Sequence, residues 1–270
     1  MKKYVVIKSW VSSYSNPISL KKGELVEIDI SRQEDNPNWQ DWVWCKSSNN
    51  EGWVPVQALK TNSTTPNGLL QATVLVNYTA KELNVTVGQV VVEERELNGW
   101  IWAKSPATND EGWVPIECLQ DINSHILQRV APCGLYCGGC FAFYDGKIKN
   151  LSLKLKEALG DFDVYANRFV ELLDEPTFLK YPYFKEMLNY FSKSDCCGCR
   201  NAKCKLFAAC NVRECSARKE IEYCYQCKDF PCTNTGFDEH LFRRFTTNNL
   251  RIKEIGIERY YLEVRDVPRY

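Results

Sequence analysis

The sequence predicts a multidomain protein in which two small all-β barrels precede a small α-rich domain built around cysteines. A segment of about 55 residues recurs within the first 120 positions. All eight tryptophans fall before residue 120, and twelve of the fourteen cysteines fall between Cys133 and Cys232. Because these two compositions are so sharply separated, the chain joins two different kinds of module.

The domain boundaries follow from the repeat and from composition. We expect one barrel over 1–60 and a second over 72–120, joined by a linker over 61–71 that is rich in Thr, Asn and Ser. A second linker is expected over 121–130. The cysteine-rich domain then occupies 131–270.

Charge and hydropathy narrow the classes of function. The chain has 34 basic and 34 acidic residues and a net charge of zero, which argues against a nucleic-acid partner. No apolar run approaches the roughly 18 residues of a membrane span, and the N-terminus lacks the apolar core of a signal peptide. We therefore expect a cytoplasmic, bacterial-type protein with no membrane partner. In a reducing compartment, dense cysteines indicate metal or redox chemistry rather than structural disulfides.

The internal repeat predicts the β modules. The segment Trp42–Leu59 recurs as Trp100–Leu119, and Ile18–Gly23 recurs as Leu83–Gly88. Between these blocks, Leu25–Ile30 alternates apolar and polar residues, as a half-buried strand does. A unit of this length with several short strands must curl into a small barrel to bury one face.

Both copies resemble SH3 domains. The resemblance is carried by Gly52-Trp-Val-Pro55 and Gly112-Trp-Val-Pro115, which match that fold's G-[WY]-[IV]-P signature. SH3 domains commonly bind proline-rich peptides in an aromatic groove, so the resemblance implies a protein or peptide partner. The positions that match the tryptophan and the proline of the groove are Trp42, Pro55, Trp100 and Pro115. A further groove tyrosine is replaced by Ala58 and Cys118, which argues against an ordinary PxxP ligand.

The strand period extends the candidate partner surface to a second pair of tryptophans. If Cys45 points into the barrel as a small core residue, Trp42 and Trp44 point outward together, and so do Trp100 and Trp102. Paired outward tryptophans indicate a contact surface, whereas the alternative is that they cover one another or pack between the barrels. The candidate partner-binding residues are Trp42, Trp44, Pro55, Trp100, Trp102 and Pro115.

The cysteines of the third region have the spacing of metal ligands. Cys133, Cys137 and Cys140 form a C-x3-C-x2-C motif, and two further C-x2-C pairs follow. Tetrahedral zinc takes four such ligands, so twelve cysteines serve two or three sites, whose grouping the spacing leaves open. The candidate metal ligands are Cys133, Cys137, Cys140, Cys196, Cys199, Cys204, Cys210, Cys215, Cys224, Cys227 and Cys232.

This region also resembles the domain of unknown function 3795 family. The resemblance rests on Cys133-Gly-Leu-Tyr-Cys137-Gly-Gly-Cys140, Cys196-Cys-Gly-Cys-Arg200 and the run from Cys215 to Cys232. It implies a zinc-binding, cysteine-rich domain without an established activity. Cys197 lies outside the family pattern and is interpreted as a spare thiol.

Between the first and second cysteine groups the sequence predicts helices. Apolar residues recur at helical spacing, first from Leu151 through Leu155 and Leu159 to Phe162. The pattern returns in a second stretch: Phe184, Met187, Leu188 and Phe191. We interpret both sets as core-facing stripes.

The predicted function is a zinc-binding protein with tandem SH3-like interaction modules, acting as an adaptor or regulator. The alternative is an iron–sulfur protein with a redox or sensory role, because cysteine-only ligation also suits such clusters. Neither His125 nor His240 lies in a recognisable catalytic motif, so no enzymatic activity is indicated. Basic residues among the cysteines, such as Arg200 and Arg213, offset thiolate charge rather than bind nucleic acid.

Overall fold

The computed structural model of the chain describes residues 1–32, 41–64, 70–201 and 204–270. These residues form two compact units, Met1–Ile122 and Asn123–Tyr270. Within the described ranges no helix is both long enough and apolar enough to cross a bilayer.

The described part of the first unit is built from twelve strands. They are β1 (Lys3–Val6), β2 (Ser19–Leu20), β3 (Leu25–Ile28), β4 (Trp42–Lys46), β5 (Glu51–Pro55), β6 (Leu59–Thr64), β7 (Leu70–Val74), β8 (Tyr78–Thr79), β9 (Val90–Leu97), β10 (Trp100–Lys104), β11 (Glu111–Pro115) and β12 (Leu119–Asp121). A 3-10 turn follows β5 at Val56–Ala58, and another follows β11 at Ile116–Cys118.

The two sequence repeats exchange a strand. One five-stranded sheet has the order β5-β4-β3-β7-β6, and the other has the order β11-β10-β9-β1-β12. Strand β1 of the first repeat therefore lies in the second sheet, where Lys3 is opposite Val92 and Val5 is opposite Gln120. Strand β7 of the second repeat lies in the first sheet. Each sheet thus contains strands from both 1–60 and 72–120.

The stretch 61–71, expected as a linker, is part of this arrangement. Residues 61–64 continue β6, and Leu70 and Gln71 begin β7. These two strands pair with each other, so the polar residues of this stretch satisfy their backbone groups in a sheet. The rest of the expected linker, residues 65–69, lies outside the described residues.

The glycine of each Gly-Trp-Val-Pro signature lies where the backbone meets another segment. A Cβ atom on Gly112 would come within 2.7 Å of the Leu83 backbone nitrogen and 2.9 Å of the Lys81 carbonyl oxygen. A Cβ atom on Gly52 would come within 2.9 Å of Cγ2 of Ile18. The repeated glycine therefore allows β5 and β11 to approach the loop segments that cover them.

Tryptophans fill much of the interior of this unit. Trp44 packs edge-on against Trp53, and Trp102 packs in the same way against Trp113, with ring centroids 5.4 Å apart in both pairs. All four belong to one cluster of buried residues that also contains Cys45. Cys45 is fully buried, which agrees with its prediction as a core residue.

The second unit is mainly helical. Its helices, counted from the end of β12, are α1 (Ile122–Arg129), α2 (Lys147–Leu159), α3 (Phe162–Leu173), α4 (Tyr181–Ser192), α5 (Val212–Arg218), α6 (Glu239–Ile255) and α7 (Ile257–Val264). Three 3-10 turns join them: Cys137–Gly139, Pro176–Lys180 and Cys224–Gln226. Helix α1 covers most of the stretch 121–130, which was expected to be a linker. Its residues His125 and Ile126 are buried.

The interior of the second unit centres on α6. Phe245 and Ile252 of this helix are completely buried. Asn249 lies between them, where its side chain accepts a hydrogen bond from the Tyr225 backbone nitrogen and donates one to the Phe245 carbonyl. Asp238 immediately precedes helix α6 and caps it, because its carboxylate accepts a hydrogen bond from the Leu241 nitrogen.

Helices α2 and α4 form where the periodicity predicts, but their apolar residues are not all buried. Leu188 faces the interior. Leu151, Leu155 and Met187 are 55%, 43% and 52% exposed. The prediction of two core-facing stripes is therefore wrong for these positions, since the helices carry apolar residues on more than one face.

Candidate functional site

Two C-x2-C pairs of the second unit adopt the same turn. In the first, the Cys140 nitrogen donates to the Cys137 carbonyl oxygen at 2.8 Å. In the second, the Cys227 nitrogen donates to the Cys224 carbonyl oxygen at 3.0 Å. Each pair spans a 3-10 turn and leaves it in an extended conformation. Such short turns between paired cysteines are typical of zinc-binding segments.

The third pair, Cys196 and Cys199, is held by backbone contacts. The Cys196 nitrogen donates to the Ala142 carbonyl, and its own carbonyl accepts from the Tyr144 nitrogen. Gly198 between them has a φ of +83°, and a Cβ atom there would approach the Gln128 carbonyl oxygen at 3.0 Å. The tight turn therefore requires glycine at this position. These contacts place the third pair next to the segment that follows the first pair in the sequence.

The cysteines of the first and third pairs meet around one cavity. This cavity has a volume of about 50 Å³, and we call it the cysteine cavity. The cysteines that line it are Cys133, Cys137, Cys140, Cys196, Cys199, Cys204 and Cys210. Seven of the eleven candidate ligands are thereby gathered from positions up to 77 residues apart in the sequence (210 − 133).

Two thiols of this cavity, those of Cys133 and Cys137, have raised pKa values. A hydrogen bond with Cys199 raises the pKa of the Cys137 thiol well above its usual range, and burial raises it further. Burial also raises the pKa of Cys133. Because metal ions bind the thiolate form, binding in this cavity would release protons.

A second set of cysteines lies around the Cys224 turn. Burial raises the pKa of Cys224 to about 12, and the neighbouring thiols of Cys232, Cys215 and Cys227 add to that effect. Lys219 lies beside this set, with its Nζ atom 3.0 Å from the Cys227 sulfur and 2.6 Å from the Asp229 carboxylate. Its hydrogen bonds with Asp229 and Cys227 raise the pKa of Lys219, so an ammonium charge lies beside this set.

The cysteines gather without closing around an ion. Among the residues that the structure describes, no three histidine, cysteine, aspartate or glutamate side chains converge closely enough to hold a metal as they stand. The donor set itself is what zinc or an iron–sulfur cluster requires, since thiolates dominate both kinds of site. The exposed Cys197 is not among the residues that line the cysteine cavity.

The first unit contains an aromatic groove of about 30 Å³. Its walls come from both repeats: Tyr14, Pro17, Ile18, Trp42, Glu51, Gly52 and Trp53 from the first, and Tyr78, Ala80, Glu82, Trp100 and Trp113 from the second. The Tyr78 hydroxyl donates to the Trp53 carbonyl at 3.2 Å, and Trp113 Nε1 donates to the Thr79 carbonyl at 2.8 Å. The first bond joins the two walls, and the second fixes Trp113 within the wall that the second repeat supplies.

Two carboxylates line the aromatic groove. Glu51 is exposed at its edge, where its carboxylate lies 3.7 Å from Nη2 of Arg32. Glu82 is partly buried, and burial raises the pKa of its carboxyl group, although a hydrogen bond from Trp10 Nε1 at 3.0 Å works in the opposite direction. A partly desolvated carboxylate beside tryptophan rings suits a cationic side chain, which both groups attract.

The structure decides between the two interpretations of the tryptophan pairs. Trp42, Trp44 and Trp102 are only 7%, 7% and 8% exposed, so the outward-facing arrangement is not observed. The rings cover one another within the interior, and Pro55 and Pro115 are buried as well. Trp42 and Trp100 still line the aromatic groove with part of their surface.

The sequence analysis did not identify several residues of the groove. Glu82 and Tyr78 precede the repeated block Leu83–Gly88 and were not among the candidate residues. Their acidic and aromatic character was visible in the sequence. Their meeting with Tyr14 and Pro17 depends on the strand exchange, because β2 pairs with β8 across the repeats.

Comparisons with known proteins agree with this division of the chain. Residues 129–236 match the family described as a protein of unknown function (DUF3795). Over 131 residues the chain is 31% identical to the SH3 and PX domain-containing protein 2B of Mus musculus and of Homo sapiens. The alignment covers 44% of this chain and 14% of each relative. Residues 3–61 match the variant SH3 domain, so the chain combines a variant SH3 domain with a DUF3795 domain.

Proposed function

We propose that the protein is a zinc-stabilised interaction protein, in which the second unit binds zinc and the first unit binds a peptide. The observation that carries the metal part is the cysteine cavity, where seven cysteines line one space. Cysteine-only donor sets suit structural zinc, which has no redox chemistry and accepts four thiolates. The role assigned to the metal is to hold the fold.

We assign the cysteines to two separate sets. The first comprises the cysteines of the cysteine cavity, and the second comprises Cys215, Cys224, Cys227 and Cys232. The second set has four members, the number that one tetrahedral zinc requires. Lys219 beside Cys227 balances part of the negative charge that four thiolates bring.

Elemental analysis of the purified full chain tests the metal proposal. We expect two or more zinc ions per chain and a colourless protein. A brown protein that contains iron and acid-labile sulfide would instead support the iron–sulfur alternative. A chain purified without oxygen that contains neither metal would refute both.

A pair of serine variants tests the assignment of ligands. Cys137→Ser removes a partly buried cysteine of the cavity, and we expect it to lower the zinc content by about one ion per chain. Cys197→Ser is the matched control, because this cysteine is adjacent in sequence to the ligands but exposed. Equal zinc loss in both variants would show that the cavity is not the binding site.

The peptide part of the proposal is supported by the variant SH3 match and by the lining of the aromatic groove. SH3 domains generally bind proteins or peptides, and the relatives named above are SH3 and PX domain-containing proteins. The groove combines tryptophan rings with Glu51 and Glu82. We therefore assign it a peptide with a basic side chain between apolar residues. Both repeats build the walls of the groove, so the second repeat acts as an SH3-like module that completes the first. One chain therefore binds one peptide.

Calorimetric titration with an arginine-containing, proline-flanked peptide tests this assignment. We expect a Kd below about 1 mM and a stoichiometry of one. Glu82→Gln should raise the Kd about tenfold, which corresponds to about 1.4 kcal/mol. Glu94→Gln is the control, since Glu94 is an exposed carboxylate of β9 outside the groove. Equal affinity for a peptide with glutamate in place of arginine would refute the charge argument.

A further inference from the structure

Helix α4 carries apolar side chains on both of its long faces. Its inner face contributes the buried Leu188. Tyr183, Met187 and Tyr190 follow one another at helical spacing on the opposite side and are 73%, 52% and 63% exposed. We call these three residues the outer stripe. A helix that is apolar on both faces is normally covered on both faces. Among the described residues, the outer stripe of α4 is left exposed.

The outer stripe belongs to a wider apolar region. Of the 29 large apolar side chains that are exposed in the described residues, twelve lie between Leu151 and Tyr190. This stretch of 40 residues (151–190) thus holds a disproportionate share for a chain of 270. A concentration of exposed apolar side chains of this kind is typical of interaction sites in soluble proteins.

The charges around this region are self-complementary. The stretch 147–160 has four lysines and one glutamate, giving +3. The stretch 161–175 has five acidic residues and one arginine, giving −4. In a two-fold symmetric dimer the same surface meets itself, so the basic stretch of one copy can face the acidic stretch of the other.

We propose that the helical region 147–193 is a homodimer interface, with the outer stripe at its centre. The occupant is a second copy of this chain, because the same surface supplies both the apolar residues and the two opposite charges. A bilayer fits less well, since the acidic stretch would be repelled by anionic headgroups. A standard interface needs about 800 Å² from each partner. The twelve exposed large apolar side chains of this region are the candidates to supply that area.

Sedimentation equilibrium of the full chain tests the proposal. We expect a mass of two chains at micromolar concentration. The dimer should weaken when salt rises from about 0.05 to about 0.5 M, because the charged part of the interface is screened. A single-chain mass at all concentrations up to about 100 μM would overturn the proposal. Single chains that pellet with vesicles of anionic lipid would assign the surface to membranes instead.

Two matched variants locate the interface. Met187→Glu places a charge in the outer stripe and should raise the dimer Kd at least tenfold. Leu250→Glu makes the same change on α6 at a position that is 51% exposed, almost equal to the 52% of Met187, and should leave the Kd unchanged. If both variants remain dimers of wild-type affinity, the dimer uses another surface and the proposal is wrong. Should Met187→Glu lose helical signal, Tyr183→Ser provides the milder change, with the same expected direction.

Discussion

Residues 1–122 and residues 123–270 differ in what fills their interiors. The first unit buries two clusters of mainly apolar residues, which include tryptophans, valines and isoleucines. In the second unit, one buried cluster contains Cys133 beside Leu135 and Phe245, with further cysteines packed against it. The first interior is stabilised by apolar burial, whereas under the proposed zinc binding the thiols of the second would add stability by holding an ion. The two units therefore differ in how far their stability should depend on a metal.

Metal removal should give the largest difference between the two units. A zinc chelator is expected to unfold the second unit, because structural zinc contributes roughly 10–16 kcal/mol of apparent binding energy in small metal-folded peptides. Circular dichroism reports the helices of this unit, while tryptophan fluorescence reports only the first, since all eight tryptophans precede residue 120. Helical signal that survives complete loss of metal would remove the contrast.

A disulfide cross-link tests whether the first unit is intertwined. Lys3→Cys with Val92→Cys joins residues that lie opposite each other across β1 and β9, and we expect near-complete cross-linking. The control is Lys3→Cys with Glu27→Cys. Glu27 lies on β3, where it is paired with Gln71 rather than with Lys3, and a chain without the exchange would pair these two instead. Mass spectrometry of tryptic peptides identifies the bridge. A preference for the control pair would show that the repeats fold separately.

Substitution of the signature glycines should lower the free energy of unfolding by amounts that differ between the two repeats by a few kcal/mol. Gly112→Ala is expected to cost about 2–3 kcal/mol of unfolding free energy, because its new Cβ meets backbone atoms at 2.7–2.9 Å. Gly52→Ala should cost less, since its nearest neighbour is the end of the Ile18 side chain. Urea denaturation followed by tryptophan fluorescence measures both. Equal costs would mean that both sites relax alike.

Acid should weaken the second unit through His125. Burial, together with the nearby positive charge of Arg129, lowers the pKa of this histidine from 6.5 to about 4. Between these two values the unfolded chain binds a proton that the folded chain does not, so stability is complete above about pH 6.5 and falls towards pH 4. The expected slope is about 1 kcal/mol per pH unit. His125→Phe should flatten the slope in thermal melts of the metal-loaded chain, and an unchanged slope would assign the proton to another group.

The extent to which the fold could be predicted differs between the same two units. The repeat revealed two similar sets of strands, but not which set each strand joins. Strands β1 and β7 are equivalent in the two repeats, so the sequence pattern fits either pairing. The motif spacing predicted that cysteines such as Cys133, Cys137 and Cys199 come together. Which of them lie around the same cavity depends on turns such as that at Gly198. The exposed side of α4 was missed because periodicity locates an apolar face without showing what covers it.

The position of β1 has a consequence for the order in which the chain acquires its structure. Residues 3–6 are synthesised long before their partners, since they pair with β9 and with residues 119–121. The second sheet can therefore close only after residue 121 has left the ribosome, and contacts so distant in sequence form slowly. Until then β1 must wait without its final neighbours, and this exposed strand is the segment for which a nascent chain would most need protection from aggregation.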